Sequence, residues 1–150
     1  MPHPTIVVGV DGSTPAQQAL RWAGRQAELT GAALVAVMAW ELPGAFGWAD
    51  VPELPEGFDR EGPAARALAE AVGDALPPRQ AAAVEQVVTL GNPAQAILDQ
   101  AEEDAAELIV VGVRGHGTFH ATLLGSVSHT VTLHATCPVV VVRGTTQVTG

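Results

Sequence analysis

The chain has 150 residues, 47% of them hydrophobic and 15% charged, a composition suited to one compact core and unlike that of a disordered segment. Sixteen acidic residues stand against seven arginines and no lysine, for a formal charge of −9, and the arginines are scattered singly, so the basic stripe of a nucleic-acid binder is excluded. The longest apolar runs, such as Ala32–Trp40 and Val139–Val142, fall well short of the ~20 residues of a membrane helix. Cys137 is the one cysteine; it closes no intrachain disulfide and lacks the companions of a structural zinc site. The N-terminus Met1-Pro2-His3-Pro4 has no basic signal-peptide region. Together these features lead us to expect a single domain over residues 1–150 in the cytoplasm, with no membrane and no nucleic-acid partner.

Short β-branched runs alternate five times with amphipathic stretches, the pattern of a parallel α/β sheet. Thr5-Ile6-Val7-Val8-Gly9-Val10 is apolar throughout, as a central strand buried on both faces is. Thr14 followed by Pro15, with Gln17 three residues after Thr14, predicts a capped helix start. Ala16, Ala19, Leu20, Ala23 and Ala27 then recur at helical spacing up to Gly31. Ala33–Trp40 reads as the second strand and Pro63–Leu76 as the second helix, with Ala64, Leu68, Ala71, Val72 and Ala75 on one face and Pro77-Pro78 as its stop. Val84–Leu90 makes a third strand. Asn92-Pro93 repeats the cap-then-proline signal for a helix turning Ala94, Ile97, Leu98, Ala101 and Ala105 inward. Leu108–Gly112 is a fourth strand, residues 125–134 a last helix, and Pro138–Arg143 a fifth strand.

The long connection Glu41–Gly62 breaks this rhythm. It holds Pro43, Pro52, Pro55 and four glycines, and Trp40, Phe46, Trp48 and Phe58 lie in it or at its start. Connections of this length in compact domains are functional lids or disordered segments; anchoring on the sheet edge and contact with a ligand both fit the aromatics.

Chemistry concentrates after the fourth strand. Gly112, Gly115 and Gly117 follow its apolar run, and Gly125-Ser126-Val127-Ser128 opens the last helix. Glycines let the main chain approach a phosphate closely, and a helix N-terminus offers unpaired N–H groups and a favourable dipole. An anion cradle without lysine results. It is neither a Walker loop, since no Gly-x-x-x-x-Gly-Lys occurs, nor a dinucleotide fingerprint, since no Gly-x-Gly-x-x-Gly follows the first strand. A tight turn that merely reverses the chain explains the same glycines. With the first strand central, strands one and four are neighbours whose connections leave in opposite directions, the switch point at which open α/β sheets bind ligands. Asp11 lies there, either holding Mg²⁺ through water beside the phosphates or capping the next helical turn.

Gly112-x-x-Gly115, nine residues, then Gly125-Ser126 resembles the signature of the ATP-binding branch of the universal stress protein family. The opening Ile6-Val7-Val8-Gly9-Val10-Asp11-Gly12-Ser13 and the closing Cys137-Pro138-Val139-Val140-Val141-Val142 are similar to that family too. The resemblance implies a Rossmann-like, five-stranded parallel sheet of order 3-2-1-4-5 with helices on both faces, a homodimer, and ATP at the switch point. It assigns Gly9 and Asp11 to first-strand contacts, and Val111, Gly112, Arg114, Gly115 and Gly117 to the phosphate and ribose loop. Gly125, Ser126, Val127 and Ser128 match the phosphate-gripping segment, and Val37 and Met38 the backbone contacts to adenine.

His116 reads as a contact to the nucleotide or to solvent. The pairs His116/His120 and His129/His134 invite a metal reading, but no carboxylate or cysteine completes either set. A Ser-His-Asp hydrolase is disfavoured because no Gly-x-Ser-x-Gly elbow occurs. The function expected is an ATP- and Mg²⁺-binding sensor or regulator in stress response, with at most slow hydrolysis. The alternative is a small α/β enzyme using the same site for phosphoryl or adenylyl chemistry, for which only Arg114 and His116 would serve near a γ-phosphate; a flavodoxin-like carrier is a third option without recognisable flavin-tuning residues. Val139, Val140, Val141 and Val142 form an unprotected edge expected to pair with a second copy.

Overall fold

A computed structural model describes residues 3–40, 61–113 and 124–144. In chain order it contains β1 (Thr5–Gly9), α1 (Thr14–Thr30), β2 (Ala33–Trp40), α2 (Gly62–Ala75), α3 (Pro78–Ala83), β3 (Glu85–Leu90), α4 (Pro93–Glu103), β4 (Leu108–Gly112), α5 (Ser126–His134) and β5 (Val139–Val142). The five strands form one parallel sheet of order β3-β2-β1-β4-β5, the order expected. β1 is central, and Ile6, Val7 and Val8 are fully buried.

The period of two in the strands sorts the core into two layers. Ile6, Val8, Leu34, Ala36, Met38 and Val110 face α1 and α2, where Leu20, Leu68 and Val72 meet them. Val7, Val35, Val37, Ile109 and Val111 face α4 and α5, packing on Ile97, Ala101 and Val131. Both layers are apolar because the buried residues of β1, β2 and β4 are apolar on both faces of the sheet. The inward positions read on α1 are all buried. Among the described residues no helix is long and apolar enough to cross a membrane.

Several details differ from expectation. The α1 cap is Ser13, not Thr14: Ser13 has extended backbone (φ −74°, ψ 161°) and its Oγ accepts from the Ala16 N–H at 3.3 Å. Gln17 takes no part in a capping box and instead donates from Nε2 to the Ala71 carbonyl at 2.8 Å, tying α1 to α2. Pro77-Pro78 does end α2, yet Pro78 also starts the short α3, because proline's fixed φ suits a first helical position. Ala105 does not face inward: α4 stops at Glu103, and Ala105 is exposed with φ 49°, while Ala96 is buried in its stead. The strand ends move slightly, β3 starting at Glu85 and β5 covering Val139–Val142. Most of the Glu41–Gly62 connection, including Phe46, Trp48 and Phe58, lies outside the described residues.

Candidate functional site

The C-terminal ends of β1 and β4 lie side by side, and α1 and α5 leave them toward opposite faces of the sheet. Between them opens a cleft. Gly9, Asp11, Val37, Val111, Gly112, Val127 and Ser128, each expected at a ligand site, line it. Val10, Ala16, Ala39, Pro93 and Ile97 complete its wall. Met38 does not: it points to the other face of the sheet, 8% exposed in the layer under α1 and α2, since neighbouring strand residues alternate faces. Arg114, Gly115, His116 and Gly117 lie outside the described residues.

The β1–α1 turn is built by local hydrogen bonds. Asp11 Oδ1 accepts from the Ser13 N–H at 2.9 Å. Gly12 between them has φ 83°, a left-handed conformation that favours glycine. This is an Asx turn ahead of α1, not the helix cap weighed for Asp11, since Ser13 holds the cap. It uses one carboxylate oxygen of an exposed side chain and leaves the other without a partner among the described residues. Val10 N–H donates to the Val37 carbonyl at 2.9 Å, extending the β1–β2 ladder one step past Gly9.

At the other side, Gly112 is a contact point for helix packing. A Cβ on it would lie 2.7 Å from the Pro15 carbonyl carbon and 2.8 Å from the Ala16 nitrogen, so the absence of a side chain lets the first turn of α1 rest on the end of β4. Ser128, 2% exposed, donates its Oγ hydrogen to the carbonyls of Gly112 and Val113. The Gly125 N–H donates to the Val113 carbonyl at 2.8 Å. These bonds hang the first turn of α5 from the end of β4.

That turn is open to an anion. α1 and α4 have side-chain caps, Ser13 and Asn92, but Gly125 supplies none to α5. The first bond inside α5 runs from His129 N–H to the Gly125 carbonyl. The N–H groups of Ser126, Val127 and Ser128 therefore have no partner among the described residues. Unpaired amides at a helix start carry partial positive charge, and Val127 and Ser128 line the cleft. The opposite wall is apolar, formed by Val37, Ala39 and Ile97. A ligand with a flat apolar part and an anionic group fits this division, and Asp11 with a divalent cation fits beside the anion.

Other groups weighed in the sequence lie elsewhere. His129 and His134 are exposed on α5, and the described residues contain no group of three histidine, cysteine or acidic side chains that could hold a metal ion. Burial pushes the Cys137 thiol above its usual range, against a lowering backbone hydrogen bond, which keeps it protonated at neutral pH and away from thiolate chemistry.

Comparison with known proteins adds three findings. A profile described as the universal stress protein family matches residues 3–143. A universal stress protein of Mycobacterium tuberculosis (strain H37Rv) is 38% identical over 154 residues, which cover 95% of this chain and 47% of that protein; the chain thus spans about half the length of this relative. Among solved structures, a universal stress protein in complex with cAMP superimposes with a TM-score of 0.66 at 30% identity, covering 97% of this chain and 100% of the other. One from Archaeoglobus fulgidus in complex with dAMP gives a TM-score of 0.66 at 29% identity, covering 95% and 99%.

Proposed function

The chain belongs to the universal stress protein family, and from that premise we propose that it binds ATP with Mg²⁺ in the cleft between β1 and β4, as a member of the ATP-binding branch. The observation that carries this reading is the uncapped start of α5 at one end of a cleft whose far wall is apolar. Adenine then lies against Val37, Ala39 and Ile97, and the phosphates meet the amides of Ser126, Val127 and Ser128. Arg114, Gly115, His116 and Gly117 complete the phosphate loop in this reading. Complexes of similar proteins with cAMP and dAMP support an adenine nucleotide as the ligand class. We assign the protein a sensor or regulator role in stress response within the cytoplasm, since binding by main-chain donors holds a nucleotide without activating a nucleophile.

Asp11 gives this proposal a direct test. An asparagine there keeps the Oδ1 acceptor for the Ser13 N–H, so the turn survives while the carboxylate charge is lost. Titrating ATP calorimetrically with and without Mg²⁺ is expected to show about tenfold tighter binding with the metal for the natural chain, roughly 1.4 kcal/mol, and no metal gain for Asp11→Asn. Equal strengthening of both proteins would leave Asp11 with its turn alone.

We also propose a homodimer through β5. The carbonyls of Pro138 and Val142 accept from Ile109 and Val113 at 3.0 and 2.8 Å. Backbone groups alternate sides along a strand, so those of Val139 and Val141 turn to the open edge. Val141→Pro removes an outward donor while sparing the bonds to β4. Light scattering at micromolar concentration is expected to give the mass of two chains for the natural protein and of one for Val141→Pro; a variant that stays fully dimeric contradicts this interface.

A further inference from the structure

On the far side of α1 from the cleft, three arginines gather around one groove. Arg21 and Arg25 stand one turn apart on α1, and Arg79 approaches from α3. In a chain of formal charge −9, this is a local inversion of sign. Glu28 is the one carboxylate in the groove wall. None of the three guanidinium groups makes an ion pair or hydrogen bond among the described residues. Like charges one turn apart are unfavourable for a helix taken alone, and Glu28, three residues after Arg25, offsets part of that repulsion.

The groove is also apolar and rigid. Leu76 and Pro77 line its floor, and Leu29, 82% exposed, stands at its rim. Gln80 donates from Nε2 to the Gly24 carbonyl at 2.7 Å. The missing side chain of Gly24 makes room for Leu76 against α1. Together these contacts fix α3 and the end of α2 to the middle of α1, so the walls stand in place before any partner arrives, which lowers the entropy lost on binding.

We propose that this groove docks an acidic, amphipathic helical segment of a partner protein, with its carboxylates on Arg21, Arg25 and Arg79 and its apolar face on Leu29, Leu76 and Pro77. Charge complementarity selects the occupant. Arginine forks pair with carboxylates, and an amphipathic helix fits a groove with an apolar floor. A nucleic acid continues as a polyanion past the arginines onto a surface that is acidic overall, whereas a peptide helix can confine its carboxylates to the turns that face the arginines. The proposal is independent of the nucleotide reading, because the groove and the cleft share no residue.

A fluorescein-labelled helical peptide built from Glu-Leu-Ala-Glu repeats is the probe, with fluorescence anisotropy as the readout. Arg25 and Arg79 are exposed, so Arg25→Glu/Arg79→Glu leaves the fold intact, which circular dichroism checks, and Arg25→Gln/Arg79→Gln serves as the neutral variant. The expected result is saturable binding to the natural chain, weakened at least tenfold by the double charge reversal, weakened to a lesser degree by the neutral pair and by 0.5 M salt, and absent for the Lys-Leu-Ala-Lys peptide. No saturable binding to the natural chain, or equal affinity for the Arg25→Glu/Arg79→Glu protein, overturns the proposal. So does sedimentation that shows the natural chain self-associating through this groove, with the association abolished by Arg25→Glu/Arg79→Glu, since the occupant is then a second copy.

Discussion

Gly112→Val is expected to destabilise the protein by about 3 kcal/mol, the upper end of the range for overpacking a filled site. The new Cβ would lie 2.7–2.8 Å from Pro15 and the Ala16 nitrogen, and these are backbone contacts that no rotamer change relieves. The first turn of α1 must lift from β4, taking with it Ala16, 4% exposed. The carbonyl of Gly112 also receives Ser128 Oγ, so α5 shifts with it. Against a total stability of ~5–15 kcal/mol, the urea midpoint drops by a large fraction. An unchanged midpoint would mean that α1 does not rest on the end of β4.

The largest expected effect on binding belongs to Ala39→Phe. Ala39 ends the row Val35, Val37, Ala39 on the cleft side of β2 and lines the cleft without belonging to the fully buried core. A phenyl ring there fills the space assigned to adenine. ATP affinity is expected to fall about 100-fold, two steps of ~1.4 kcal/mol, while the urea midpoint stays close to that of the natural chain. Calorimetry beside a denaturation curve separates the two quantities; unchanged affinity in the folded variant means that ATP does not lie against β2.

The strands and the buried helical faces were legible because each element carried a strong period, whereas the strand order followed from the family resemblance. Ile6, Val7 and Val8 are apolar on every side, and α1 repeats small residues at its buried positions. The short α3 escaped because Pro77-Pro78 signals a stop and the alanines after Arg79 carry no amphipathic pattern; none of its residues is buried. Ser13 and Thr14 are chemically alike as caps, and only the backbone angles of Ser13 distinguish them. The inward reading of Ala105 extended a helical period beyond the residue where the helix ends.

In the site, polar and glycine signals were readable by residue type; of the apolar wall, Val37, Val111 and Val127 followed from the family resemblance and the rest carried no signal of its own. Asp11, Gly112 and Ser128 stand out by residue type, whereas Ala39, Pro93 and Ile97 look like ordinary core residues. Two of them were within reach of the pattern: Ala39 follows Val37 by two, and Ile97 follows Pro93 by one turn of α4. Gly112 also has a second role beside its place in the cleft wall. The glycine spacing suggested close approach of a phosphate, while the structure shows close approach of α1. The side chain of Met38 faces the opposite layer from that of Val37, so only its main chain, the part that the resemblance assigns to adenine, is directed to the ligand in this reading.

The central claim is that an adenine nucleotide occupies the cleft between β1 and β4 with its phosphates at the start of α5. A crystal structure of the chain grown with ATP and Mg²⁺ tests this most directly. The expected density shows adenine between Ala39 and Ile97, phosphate oxygens within hydrogen-bond distance of the Ser126, Val127 and Ser128 amides, and a metal ion on the Asp11 carboxylate side. Nucleotide bound elsewhere on the chain, or a cleft empty at saturating ATP, would contradict it.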